Sequence, residues 1–212
     1  MPFLAWNASS PELLVPLAEV VKSAQAGDRL AFDTLFQLYN TRICTYLSRM
    51  AGNDEDGRDL AQETFLKVWR ALPRLQDASR FETWLYAIAT RVAIDYIRRR
   101  KFRWPLWKTR DADTDLPESL ITEGPEGAVE HAEQVKLALA QVSPRYRACL
   151  LLQLVVGFSQ REIAQSLNMS EKSVSVYVSR GSEQFRQAYE RLEQNHTAPR
   201  LAIEERNTFD EQ

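Results

Sequence analysis

Histidine and cysteine are scarce in this sequence. It has two of each in 212 residues: His131, His196, Cys44 and Cys149. No two of them are neighbours, and neither C-x-x-C nor H-E-x-x-H occurs, which argues against a zinc site. A paired histidine–cysteine nucleophile is missing, as are a phosphate-binding glycine loop and a G-x-S-x-G turn. General acid–base work would fall to carboxylates on open helices. We therefore expect no enzyme activity, no metal and no cofactor. The two lone cysteines sit in apolar helical contexts and read as buried, reduced thiols.

Glycine is also sparse, at seven residues, and β-branched runs are few, so helix is favoured over sheet. Long apolar runs are missing as well. The longest, Ala148 to Phe158, contains Gln153 and is too short to span a bilayer. The start of the chain has no charged residue ahead of its apolar ones and does not look like a signal peptide. These features lead us to expect a cytoplasmic protein without membrane insertion.

A large net charge is absent too, at −2, but its distribution is uneven. Residues 91–110 hold eight Lys/Arg and one acid, Asp95, whereas residues 111–133 hold eight Asp/Glu and no Lys/Arg. A basic block thus abuts an acidic one.

The helix signals are strong. Ser10-Pro11-Glu12 reads as an N-cap with proline at the first helical position. A helix is expected from near Asp28, with apolar residues from Phe32 to Met50 recurring at three and four, ending at Gly52-Asn53-Asp54. Residues 54–72 form the next, with Leu60, Ala61, Phe65, Val68, Trp69 and Leu72 as its apolar stripe, and Pro73 ends it. Residues 73–80 read as a loop and 81–100 as a helix closing on Arg98-Arg99-Arg100. An acidic stretch with Pro117, Gly124, Pro125 and Gly127 then reads as a linker. Beyond it, Pro144 to Val156 is helical and Gly157 stops it. Ser159-Gln-Arg-Glu162 is a capping box, and Ser170 caps a last helix whose buried side is Val174, Val178, Gly181, Phe185, Ala188 and Leu192. The fold class is all-α: two small helical domains joined by an acidic flexible linker, the second containing a helix-turn-helix. The expected bounds are an extension over 1–16, a first domain over 17–104, a linker over 105–128, a second domain over 129–195 and a tail over 196–212.

The segment SQREIAQSLNMSEKSVSVYVSR, residues 159–180, meets the needs of a helix-turn-helix: a short first helix, a tight turn and a second helix with a free polar face. Ile163, Ala164 and Leu167 face inward. Glu171, Lys172, Ser173, Ser175, Val176, Ser179 and Arg180 face outward, where they can reach base edges and phosphates. A plain helical hairpin with a solvated face fits the same spacing. With two cations and one acid, this face alone should bind DNA weakly.

Three motifs in order, DLAQETFLKVW, FETWLYAIATRVAIDYIRRR and GFSQREIAQSLNMSEKSV, resemble the extracytoplasmic-function (ECF) sigma factors, the small promoter-specificity subunits of bacterial RNA polymerase. The resemblance covers roughly residues 20–193. It implies that the first domain is sigma region 2 and the second sigma region 4, which recognise the −10 and −35 promoter elements and assist melting. It implies core RNA polymerase (its β′ clamp coiled coil and β flap), promoter DNA and an anti-sigma factor as partners, at the bacterial nucleoid. Asp59, Gln62, Glu63, Phe65 and Trp69 match the segment that docks on the clamp coiled coil. Gln76, Asp77, Ser79 and Arg80 match the loop that captures a flipped −10 base. Arg91, Arg98, Arg99, Arg100, Lys101 and Arg103 are placed to hold phosphates. Trp104 and Trp107 interleave with cations and suit either base stacking or local packing. The acidic linker matches the connector threaded toward the RNA exit channel, though a solubilising tether has the same composition. Two departures stand out: Arg91 replaces the family's usual Asn, and Tyr177 replaces a usual Arg in the recognition helix. A stand-alone helix-turn-helix regulator is the alternative. It would have to use the first domain as a sensor or dimerisation unit.

Overall fold

The computed structural model describes residues 15–107 and 126–209, with side chains placed for 15–100 and 131–194. All regular structure among them is helical: α1 Leu17–Gln25, α2 Arg29–Ala51, α3 Asp54–Ala71, α4 Phe81–Trp107, α5 Glu126–Gln141, α6 Pro144–Leu151, α7 Gln160–Leu167 and α8 Glu171–Phe209. The proposed cap at Ser10 and residues 108–125, which include most of the acidic stretch, lie outside the described residues.

Local chemistry sets the helix ends. The Asp28 carboxylate accepts from the backbone N–H groups of Leu30 and Ala31 and opens α2. Gly52, at φ +92°, closes it in a conformation other residues rarely adopt. Asn53 then caps α3 by accepting from Asp56 N. Around these ends the first lobe packs α2, α3 and α4 over Leu35, Ile43, Leu47, Phe65, Val68, Phe81, Leu85 and Val92, all buried. Tyr39 meets Phe81, and Tyr46 meets Tyr86, edge to face at 5.5 and 5.4 Å. The buried Tyr46 hydroxyl is satisfied by Thr90 at 2.7 Å.

Three expectations need adjusting. The helix expected to stop at residue 100 runs on to Trp107, since no glycine or cap residue stands at its expected end. The helix expected to run unbroken over 144–156 is α-helical only to Leu151 and then widens into a π turn, Leu152–Val156, before Gly157 at φ +86°. The loop 73–80 is not irregular throughout but contains two 3-10 turns, Leu72–Arg74 and Ala78–Arg80. Of the two thiols, Cys149 is buried, which pushes its pKa up to about 11, while Cys44 is only half-buried.

The second lobe wraps α5, α6 and α7 onto α8, burying Leu139, Leu152, Ile163, Val174 and Ala188. The two lobes are in contact. Arg147 of α6 donates to the Met50 carbonyl at the end of α2 at 2.5 Å, Lys136 pairs with Asp54 at 3.0 Å, Ser166 Oγ donates to Thr83 O at 3.0 Å, and Phe158 meets Tyr86 edge to face at 5.2 Å.

Candidate polymerase and nucleic-acid interfaces

Helix α3 presents two stripes. Gly57, Leu60, Ala61, Thr64, Phe65 and Val68 are buried. Asp59, Gln62, Leu66 and Trp69, spaced three, four and three, share the outer face, where one helix turn places them above one another. Leu66 is 58% exposed and Trp69 37%. Trp69 is steadied by Phe32, edge-on at 4.7 Å. Phe65, expected at the docking face, is 5% exposed and packs edge-on against Phe36 at 4.8 Å. The sequence reading did not single out Leu66, although the same three–four spacing marks it. Glu63, beside this stripe, is paired with Lys67 at 2.7 Å.

The loop between α3 and α4 has a buried base and an exposed tip. Leu72 and Ala78 are buried, and Gln76, Asp77, Ser79 and Arg80 are exposed. The Asp77 carboxylate accepts from Ser79 N at 3.0 Å and Ser79 Oγ at 2.6 Å, and faces Arg80 Nε at 3.3 Å. These hydrogen bonds from Ser79, with the nearby Arg80 charge, hold its carboxyl below the usual carboxylate range.

Along α4, Arg98 and Arg99 lie about two turns beyond Arg91, and all three are exposed. Arg91 and Arg99 form no ion pair among the described residues, whereas Arg98 pairs with Asp95 at 3.1 Å. Arg100 is held differently. Its Nη1 reaches Asp56 at 3.2 Å and the Tyr96 hydroxyl at 3.3 Å, and Tyr96 donates to the same carboxylate. This cluster ties the second half of α4 to the start of α3. The side chains of Lys101, Arg103, Trp104 and Trp107 lie outside the described residues.

In the helix-turn-helix the expected capping box is complete: Ser159 Oγ accepts from Glu162 N, and the Glu162 carboxylate accepts from Ser159 N at 2.8 Å. Asn168 takes the left-handed conformation at φ +51° to make the turn, and Ser170 Oγ accepts from Ser173 N at 3.1 Å to start α8. Ser173 is thereby engaged in the cap. Glu171, Lys172, Ser175, Val176, Ser179 and Arg180 are exposed. Tyr177 is not free to replace the missing cation, since it packs edge-on to Tyr146 at 4.9 Å. The Tyr146 hydroxyl also accepts from Arg180 at 3.2 Å. Tyr146 thus braces the start of α8 from α6, and nothing in its local sequence announces that. Gly181 sits close against α6: a Cβ there would lie 3.1 Å from the Tyr146 carbonyl oxygen, a tight contact.

Among the described residues there is no cluster of three or more His, Cys, Asp or Glu side chains able to hold a metal ion, and no helix is long and apolar enough to cross a membrane. A helical lobe with an exposed loop and a second lobe with an intact helix-turn-helix are both domains of the sigma-70 type, as comparison with known families shows. Residues 35–103 match Sigma-70 region 2 and residues 132–185 match Sigma-70 region 4. The chain is 30% identical over 177 residues to the ECF RNA polymerase sigma factor SigW of Bacillus subtilis, covering 78% of this chain and 92% of that protein. It is 27% identical over 184 residues to SigX of the same organism, covering 82% and 92%. Among solved structures it is similar to CnrH in complex with the cytosolic domain of CnrY, at 22% identity and a TM-score of 0.58 over 81% of this chain and 95% of that one. It is also similar to the sigma factor RpoE of Bartonella quintana in complex with the anti-sigma factor NepR, at 17% identity and a TM-score of 0.58 over 75% and 96%. The chain belongs to the ECF sigma factors of RNA polymerase.

Proposed function

We infer that this sigma factor divides its work among three exposed surfaces. The outer stripe of α3, Asp59, Gln62, Leu66 and Trp69 with Glu63 beside it, docks on the β′ clamp coiled coil of core polymerase, and the second lobe docks on the β flap. The tip Gln76, Asp77, Ser79 and Arg80 captures an unstacked −10 base. Arg91, Arg98, Arg99 and Arg100, with Lys101 and Arg103 beyond them, hold phosphates there. The α8 face from Glu171 to Arg180 reads the −35 element. The functional units on this reading are residues 17–104 and 129–195, joined by the acidic linker 105–128. The protein performs no covalent chemistry and acts in the bacterial cytoplasm, on the nucleoid when bound to polymerase. An anti-sigma factor is its expected regulator, because both structurally similar proteins described above were solved with such a partner or a partner's cytosolic domain.

The observation that carries this reading is the pairing of a mixed face on α3, exposed Leu66 and Trp69 beside Asp59 and Gln62, with two separate polar, cation-bearing faces on one small chain. Leu66 and Trp69, one turn apart and both exposed, form a small apolar patch that a partner can cover. The test is run-off transcription with purified core polymerase over a library randomised at both promoter elements. The parent protein should select a fixed pair of elements. Gln62→Lys combined with Glu63→Lys should abolish core binding, measured by co-sedimentation, and leave the circular dichroism spectrum unchanged. Unchanged core affinity in this double variant would place the docking face elsewhere.

A further inference from the structure

The region 2 match begins at residue 35, so α1 lies outside it. Yet α1 is anchored in the core by Val21 and Ala24, both buried, and ends on Gln25. The Gln25 side-chain amide donates to two carbonyls of the loop that leads to the exposed tip: Leu72 O at 3.1 Å and Leu75 O at 2.6 Å. Leu75 is the residue immediately before Gln76. We propose that Gln25 is a positioning residue for −10 recognition, fixing the height and direction of the base-capturing tip from a helix that touches no DNA itself. The inference rests on the base-capture reading of Gln76–Arg80.

At the far end of the loop, the Thr83 hydroxyl of α4 donates to Arg80 O at 3.0 Å. The loop's tip is closed on itself by Asp77, Ser79 and Arg80. That locks the tip's shape but not its attachment. Towards α3, the backbone bond from Leu75 N to Leu72 O, at 3.0 Å, is internal to the turn. Burial of Leu72 and Ala78 secures the two flanks. Gln25 adds hydrogen bonds from another element that reach the residue where the chain leaves the core. An unstacked base needs partners at set positions, and a displacement of about 1 Å in a binding group is enough to weaken recognition severely.

The test uses holoenzyme assembled from core polymerase and the full chain. The probe is a single-stranded oligonucleotide bearing the −10 sequence that the parent holoenzyme selects from a randomised library. Gln25→Glu keeps the shape and removes the donors but adds a negative charge beside the two carbonyls; Gln25→Met removes the donors without adding a charge. Losing two hydrogen bonds should weaken binding of this probe roughly three- to tenfold. Binding to a duplex −35 probe and to core should stay within about twofold, at a temperature where circular dichroism shows each variant fully folded. Unchanged affinity for the −10 probe in either folded variant overturns the proposal. So does a proportional loss of all three affinities, or a failure of both variants to fold, since Gln25 would then be structural. Gln76→Ala and Arg80→Ala run alongside. If both also keep full affinity for the −10 probe, the base-capture reading itself fails. If they lose affinity while the Gln25 variants do not, only the positioning role fails.

Discussion

Arg147 is 4% exposed and forms no ion pair among the described residues. Its guanidinium donates instead to three carbonyls: Met50 at 2.5 Å, Ala140 at 2.6 Å and Val142 at 3.0 Å. Met50 closes α2, and Ala140 and Val142 flank the end of α5, so the cation faces the negative ends of two helices. Burial brings its pKa down to about 10, which leaves it charged at neutral pH. Arg147→Met would leave these acceptors without a donor, at about 1–3 kcal/mol for each one that water does not reach. We expect a loss of about 3 kcal/mol in urea unfolding at pH 7. Arg147→Lys, which keeps the charge but not the planar fork, should lose roughly half as much. A Met variant as stable as the parent would mean that the carbonyl contacts contribute nothing net. In the recognition helix, Lys172 has no partner among the described residues. Lys172→Ala should cost about 1–3 kcal/mol of −35 affinity if Lys172 contacts a base, and footprinting on matched and mismatched −35 elements separates this from a phosphate contact.

Between elements, α2 lies tight against α3 at Gly57. A Cβ at Gly57 would lie 2.6 Å from Ser48 Cα and 2.7 Å from Ser48 N, which is backbone that cannot step aside. Alanine in a helix interior ordinarily gains about 1 kcal/mol over glycine. Here Gly57→Ala should instead destabilise by about 1–3 kcal/mol through overpacking, read as a lower thermal midpoint, and a midpoint raised by the change would show that the crossing yields easily. Helix existence was legible in the sequence because caps and apolar periodicity are local: Asp28, Gly52, Asn53, Ser159, Asn168 and Ser170 act in or beside the turns they specify. The buried stripe of α8 was legible for the same reason. What was not legible depends on a second element. Phe65 and Trp69 occupy one apolar stripe in the sequence, and only the packing of Phe36 and Phe32 against them shows which is buried and which projects. Tyr146 bracing Arg180, Asp56 holding Arg100 and Gln25 reaching Leu75 are separated by 34, 44 and 50 residues. No spacing rule reaches so far.

At the scale of the molecule, the sequence suggested two separate domains on a tether, and the structure brings them into contact. Elements centred 35 and 10 base pairs upstream lie about 25 base pairs, or about 85 Å, apart along the duplex. A compact chain of this size has a radius of gyration of about 17 Å, so the closed form cannot span both. It also brings α7 beside the loop between α3 and α4, the proposed −10 contact: Ser166 bonds Thr83, whose own hydroxyl donates to Arg80 O at 3.0 Å. The closed form must therefore open for promoter engagement, and the Lys136–Asp54 pair at 3.0 Å provides a way to watch it. The hydrogen bond from Lys136 holds the Asp54 carboxyl below its usual value. A depressed acid pKa means that the pair is formed above about pH 3.8 and is lost as pH falls through the lower, folded-state value. The pair is exposed and contributes little to closure, under about 1 kcal/mol, yet its geometry suits zero-length carbodiimide coupling of amine to carboxylate at pH 6. We expect the 54–136 amide to appear by mass spectrometry in the free protein and to be missing when coupling is attempted on a promoter-bound holoenzyme. Protein coupled beforehand should fail to form open complexes. If that coupled protein initiates at the parent rate, or if the amide forms equally well in the promoter complex, the closed arrangement is compatible with initiation and opening plays no part in it.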